Sequence, residues 1–482
     1  MKKLFALILA FCMLLCACAC GKTESAPDAE PGQDTASDTT DVSSGEQPAS
    51  EPEKEPEKEP EKEPEKEPVS EPENKPDEQP ANEPVDKPAP ISATPVFPES
   101  SDPDDYASLT RIREENAGTE EFLNALRAFS GDTAKKVLKP DENGCYSPLS
   151  LYIALSLCAA GSAGDTQKEM LKVLGVSAVP SLADNCARLI RRLYSDSNDY
   201  KLKIANALFI DDDARVKEEY VKTAIEEYYS FLKTVDFTDT AKAKEEIKSF
   251  ISKHTNGKLE YGGTPDPNTR VDIINTLYFI SRWSDPFNET GTAEDVFHAK
   301  GGDVKASFMH KGLHPSATYF EGDGFKRLSL PFMGGARMTF VLPDSGRLSE
   351  MLNKGAAAFT DGTEKSAKVD LYLPKFKIKN TYPLEDMLKE LGIQKAFSVK
   401  DADFSGMSDE PLYISSVTQG TYISVDEKGA EAAAYTEVSV LAGAAFDPAE
   451  PVVIRFDRPF MYQIEAFDGT PLFCGVVADP SK

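Results

Sequence analysis

Enzymatic chemistry needs a nucleophile beside a base, a metal cage or a phosphate cradle, and the chain offers none of these as a recognisable pattern. Beyond residue 20 there is no G-x-S-x-G, no H-E-x-x-H, no phosphate-binding glycine loop and no C-x-x-C. His310 and His314 have the spacing of two metal ligands on a helix, but Gly312 and Pro315 argue against a helix there. No metal, no other cofactor and no catalytic residue is therefore expected. Cys145, Cys158, Cys186 and Cys474 remain for redox chemistry. In an exported protein they give two disulfides in one of three pairings, or buried thiols, the commoner state for the apolar runs around Cys158 and Cys474.

The informative residues lie near the C-terminus. Between 430 and 440 the even positions are Ala430, Ala432, Ala434, Thr436, Val438 and Val440, and the odd ones are Glu431, Ala433, Tyr435, Glu437 and Ser439. One face is small and apolar, and the other is mostly polar. That alternation is the period of a half-buried strand in a tight space, although Ala and Glu are also good helix formers. Residues 441–445 are small and suit neither element.

The elements that would position such a strand are mixed. Phe122, Leu123, Leu126 and Phe129 mark one helical face. Ser147-Pro148 reads as a cap followed by proline in the first turn, opening an apolar helix over 149–160 with Gly161 as its stop. Leu384, Met387, Leu388 and Leu391 form another stripe, ended by Gly392. Strand-like runs cover 271–280, 337–342, 369–378, 452–456 and 459–467, and Asp468-Gly469 predicts a hairpin into 472–477. Helices dominate the first half and strands the second, with no βαβ alternation, so the fold class expected is α+β.

The 482 residues carry a net charge of −28, unevenly spread. Residues 1–20 hold Lys2, Lys3 and an apolar run, too short for a comfortable membrane span, that ends in Leu15-Cys16-Ala17-Cys18-Ala19-Cys20. This is the layout of a signal peptide and resembles a bacterial lipobox, with Cys20 (alternatively Cys18) as the acylated residue. Residues 21–103 hold 24 acids, seven lysines, 17 prolines and one aromatic, Phe97, for a charge of −17. Glu-Pro-Glu-Lys repeats there cannot bury enough apolar surface to fold, so a disordered tether is expected. A globular domain over 104–482 carries the remaining −13. Such acidity excludes a nucleic-acid binder and any electrostatic pull towards a membrane surface. Asn288-Glu289-Thr290 has the glycosylation spacing, to which a bacterial-type signal gives little weight.

Glu427-Lys428-Gly429-Ala430-Glu431-Ala432-Ala433-Ala434 resembles the reactive-loop hinge of serpins, the serine-protease inhibitors that trap their target. The run 453–460, Val-Ile-Arg-Phe-Asp-Arg-Pro-Phe, and the run 469–475, Gly-Thr-Pro-Leu-Phe-Cys-Gly, are similar to that family's C-terminal signature. Leu373-Pro374-Lys375-Phe376, Leu391-Gly392-Ile393, Asp403-Phe404-Ser405-Gly406, Asn275, Trp283, Pro286, Phe287 and Ser147-Pro148-Leu149-Ser150 match further family stretches, in family order. The resemblance implies a serpin fold: helices around a large, mostly antiparallel sheet, two further sheets and an exposed bait loop. A protease acylated on the bait would be dragged as the cut loop inserts into the sheet. Family spacing from Glu427 puts the scissile bond after Gly443, or after Ala444 with one extra residue. Small residues there fit elastase-like or subtilisin-like proteases and offer no cation to a trypsin-type pocket. The family match further makes Ser147, Ser150, Asn275 and Gln419 a hydrogen-bonded shutter, with Gln419 where the family usually has histidine. It pairs Lys375 with Glu427 beside Trp283, as a surface pair of little weight in stability. The expected product is a monomeric inhibitor of serine proteases, not an enzyme. It would be held by lipid on the extracellular face of a bacterial membrane, or secreted. A non-inhibitory binding or carrier serpin is the alternative.

Overall fold

The computed structural model describes residues 87–98, 105–197, 199–313, 317–430 and 450–482. Expectations for the signal peptide, for Cys18 and Cys20, for residues 431–449 and for His314 lie outside them.

The elements around the large sheet are, in chain order, β1 (Ser92–Ala93), α1 (Glu120–Val137), α2 (Pro148–Gly161), β2 (Tyr200–Asp211), α3 (Glu218–Glu226), β3 (Phe231–Val235), α4 (Thr240–His254), β4 (Val271–Arg282), β5 (Phe376–Pro383), α5 (Glu385–Leu391), β6 (Ile414–Val425) and β7 (Gly429–Ala430). The strand order is β1-β3-β2-β4-β7-β6-β5, and a two-residue strand, Ser195–Asp196, also pairs with β2. A seven-stranded sheet runs from Thr363–Ala367 to Gly144–Tyr146, and a four-stranded sheet is built on Val369–Pro374. This is the α+β serpin architecture that the motifs imply.

Local chemistry explains the helices. Thr119 caps α1 by accepting the Phe122 N–H, with Glu120 and Glu121 in the first turn and Lys135 and Lys136 in the last, as the helix dipole favours. Ser147 caps α2, Pro148 occupies its first turn, and its side chains are buried almost all round beneath the large sheet. Gly392 ends α5 in the left-handed region at φ 114°, where a side chain would be strained. On the opposite face of the sheet, α4 buries Ala243, Ile247 and Ile251 against Ala207 and Phe209 of β2 and Ile274 of β4.

Three expectations need correction. β2 and β3 are parallel and joined through α3, so one βαβ unit is present. β3 has only five residues, two of them Lys233 and Thr234, too short and polar to stand out in the sequence. The run 369–378 is two strands, because Pro374 and Lys375 carry the chain from the four-stranded sheet into the large one, with the Lys375 N–H on Ser307 O. The folded body also begins before residue 104. Ser92 and Ala93 add to the edge of β3, opposite Lys233 and Leu232. The Ile91 N–H donates to Thr234 Oγ1 at 2.7 Å, and Phe97 stacks on Tyr194 with ring centres 5.3 Å apart.

Candidate functional site

The candidate site is the seam between β4 and β6, a parallel junction in the middle of the sheet. Parallel pairing runs from Val271/Ile414 to Thr276/Gly420. At the far end β7 lies between the two strands, with Ala430 opposite Ser281 on one side and Val425 on the other.

The lower seam is locked from the α2 side. Gln419 Nε2 donates to Asn275 Oδ1 at 2.7 Å and to Ser147 O at 2.8 Å, and its Oε1 accepts the Ser147 N–H at 2.8 Å. Ser147 Oγ donates to Leu472 O at 2.8 Å, tying in the seven-stranded sheet. Ser150 Oγ donates to Asn206 Oδ1 and to Thr276 O, each at 3.3 Å. The four residues singled out in the sequence thus meet in one cluster, all fully buried. Gln419 makes three of the bonds that hold the cluster together. Asn206 of β2 escaped the sequence reading. It accepts from Asn275 Nδ2 at 2.9 Å and joins that pair to Ser150. Its signal was available: it is the one amide in the otherwise apolar run 204–210.

The upper end is closed by charge and aromatic contact. Lys375 Nζ stands 2.8 Å from Glu427 Oε2, and Thr292 Oγ1 donates to Glu427 Oε1 at 2.7 Å. Glu427 is only 7 % exposed, so the pair is half-buried rather than on the surface as expected. Burial pushes the Glu427 carboxyl up, but the bonds from Lys375 and Thr292 outweigh it and hold the group below its ordinary value. Trp283 stacks on Phe332 at 4.3 Å and donates from Nε1 to Asp426 O at 2.9 Å. Its N–H reaches Lys428 O, and the Phe287 N–H reaches Glu427 O. Five contacts therefore fix the turn that launches β7.

Gly429 makes the launch possible. Its φ is 155°, and a Cβ there would come within 2.1 Å of Ser281 O. Ala430 follows at 1 % exposure, in a slot with space for a methyl group between two strands. Glu431, Ala432, Ala433, Ala434, Gly443 and Ala444 lie outside the described residues.

The other candidates separate cleanly. Cys145, Cys158, Cys186 and Cys474 are all free and buried, which removes the disulfide option. Burial pushes the thiols of Cys145, Cys158 and Cys186 up to about 12 and that of Cys474 higher still, so none is poised as a nucleophile. His310 sits on the strand Gly302–Gly312 and stacks on Tyr372 at 4.4 Å.

A central sheet whose parallel seam is locked at one end and holds the two-residue strand β7 at the other is the arrangement that the hinge and shutter motifs imply. The chain belongs to the serpin family, whose model, described as serpin (serine protease inhibitor), matches residues 124–480. An uncharacterised serpin-like protein of Thermococcus kodakarensis is 33 % identical over 403 residues, 80 % of this chain and 92 % of the relative. Alpha-1-antiproteinase 2 of Equus caballus is 32 % identical over 348 residues, covering 70 % of this chain and 81 % of its own length. The crystal structure of Serpin48 from Tenebrio molitor, described as a highly specific serpin, superposes with a TM-score of 0.68 at 31 % identity, covering 75 % of this chain and 99 % of Serpin48.

Proposed function

We propose that the protein is a suicide inhibitor of serine endopeptidases with elastase-like or subtilisin-like specificity. It works at the outer face of a bacterial cell membrane, held by lipid on Cys20 or Cys18; secretion without the lipid is the other arrangement.

The observation that carries this reading is the placement of Ala430 between Ser281 and Val425. A loop that continues with small residues at alternate positions can extend β7 down the seam. Proteolysis supplies the freedom to do so. The protease serine attacks the carbonyl carbon of Gly443 or Ala444, the C–N bond breaks, and the amine leaves with a proton from the protease histidine. The ester-linked enzyme then travels with the inserting strand. About 14 residues at roughly 3.3 Å each carry it on the order of 45 Å, and deacylation stalls as its site is distorted.

The test is to mix the protein with an elastase and run a denaturing gel. A higher-mass band that survives SDS is expected. Clean cleavage without it supports the non-inhibitory reading and overturns this one. The nicked protein should also melt well above the intact one. Mass spectrometry of the mature N-terminus from its host tests the lipid on Cys20 or Cys18.

A further inference from the structure

The lower seam carries one ionisable group that neither the hydrogen-bonded cluster nor the hinge uses. Asp272 lies on β4 at 2 % exposure, one strand away from Phe209 of β2 and directly opposite Ser416 of β6. Ser416 Oγ donates to Asp272 Oδ1 at 2.5 Å across the seam. The register of β6 is interrupted between Ile414 and Ser416, and the intervening Ser415 Oγ accepts the Arg270 N–H at 2.9 Å. Two hydroxyls of β6 therefore grip the start of β4 just where the parallel pairing begins.

The surroundings of Asp272 are poor in compensating charge. From β2 it faces Phe209, on the side of the sheet covered by α4. From the segment after α4 comes Tyr261, whose hydroxyl is pushed up to about 12 by burial and by the Asp272 charge. From α5 comes Glu385, a second carboxylate, engaged through Oε1 by the Val417 N–H at 2.7 Å. Arg270, two residues away on the approach to β4, is committed to Asp211 and Asp213 at 2.7 Å each. Burial pushes the Asp272 carboxyl up to about 6; the Ser416 bond only partly offsets this, and Glu385 adds to it. On the opposite face of the same seam, Ser147, Ser150, Asn206, Asn275 and Gln419 contain no titratable side chain.

We propose that Asp272 is an acid-responsive latch on the β4–β6 seam: its ionised carboxylate loosens the closed sheet, and its protonation tightens it. Parting the strands hydrates the carboxylate and returns it to its ordinary affinity for protons. The closed seam binds the proton more tightly, so acid favours closure. The tightening is complete below the ordinary value of 3.8 and is lost as pH rises through about 6. An inhibitor so built holds its sheet shut in acid and releases it near neutrality.

The latch rests on the reading that the seam parts in function, but its test needs no protease. Hydrogen exchange of the β4 and β6 amides along the seam is compared between the wild-type protein and Asp272→Asn at matched pH, which cancels the intrinsic chemistry of exchange. The amide stands in for the protonated acid. At pH 7.5 the wild type should exchange faster, by up to on the order of a hundredfold, and the ratio should fall about tenfold by pH 5. A ratio that does not change with pH overturns the proposal. Ser416→Ala is the second variant. It removes the hydrogen bond that favours the ionised form, so the pH at which loosening is complete, and with it the midpoint, should move upwards. An unmoved midpoint in that variant equally overturns the latch. Normal trapping of elastase alongside a flat exchange ratio would sink the latch and leave the inhibitor reading standing.

Discussion

At the lower end of the seam Gln419, Asn275 and Ser147 are fully buried and joined by neutral hydrogen bonds, whereas at the upper end a charged pair, a tryptophan and a glycine hold the turn before β7. The lower end is expensive to open, because each broken bond leaves a buried group without a partner. The upper end is close to solvent through Lys375 and has already admitted Ala430. Under the proposed mechanism, insertion would start at the top and meet its main resistance at the bottom. In that mechanism the difference would separate the step that selects the inserting residue from the step that sets how readily the sheet yields.

Four substitutions can break or sharpen that contrast. Ala430→Arg should have the largest effect. The slot between Ser281 and Val425 has no space for a guanidinium, so the SDS-resistant complex with elastase should vanish while cleavage of the loop persists. Unchanged trapping by this variant would remove the selective role of the upper end. Gln419→Ala should come next. It strands the buried Ser147 N–H and the Asn275 carbonyl oxygen, at a cost of about 2–4 kcal/mol in urea unfolding of the intact protein. Lys375→Ala should cost about 1 kcal/mol at pH 7, reduced by the exposure of the lysine. The sign follows from the lowered Glu427 carboxyl. Its stabilisation is fully present above the ordinary value of 4.5 and is lost as pH falls through the lowered one. Melting curves of wild type and variant should therefore converge in acid. Phe97→Ala should affect the seam least: it should remove about 1 kcal/mol of ring stacking at the edge of the sheet and show as faster proteolysis near residues 87–98 with the body intact. An effect of Phe97→Ala on the seam as large as that of Gln419→Ala would dissolve the distinction between the two ends.

Much of this was legible in residue order. The cap at Ser147, the proline in the next position and the unbroken apolar run named α2 and its burial, because capping and burial are local properties. The small residues at 429 and 430 announced a tight fit, and the structure shows the strands that impose it. Asn206 was harder, since one amide in an apolar strand looks the same whether it is tolerated or required; only the register against Asn275 shows its part. The turn from one sheet to another at Lys375 was hidden by a strand-like pattern that continues through it. Nothing in spacing could tell that Asp272 would face a serine rather than an arginine. The four cysteines kept both readings open until the structure showed each as a free, buried thiol. Phe97 did give a signal, being the sole aromatic between residues 21 and 103, and it marks where a proline-rich stretch stops being featureless.

The joining of Ser92 and Ala93 to the rim of β3 has a mechanical outcome. On one side of the junction with β6, the strands β4, β2, β3 and β1 form one plank, laced edge to edge. The polypeptide that arrives at Lys87, itself bonded to Asp212 at 2.7 Å, rides on that plank. A pull transmitted from upstream would thus shear along the rungs of β1 and β3, the geometry in which several bonds must fail together, before it could reach the junction of β4 with β6.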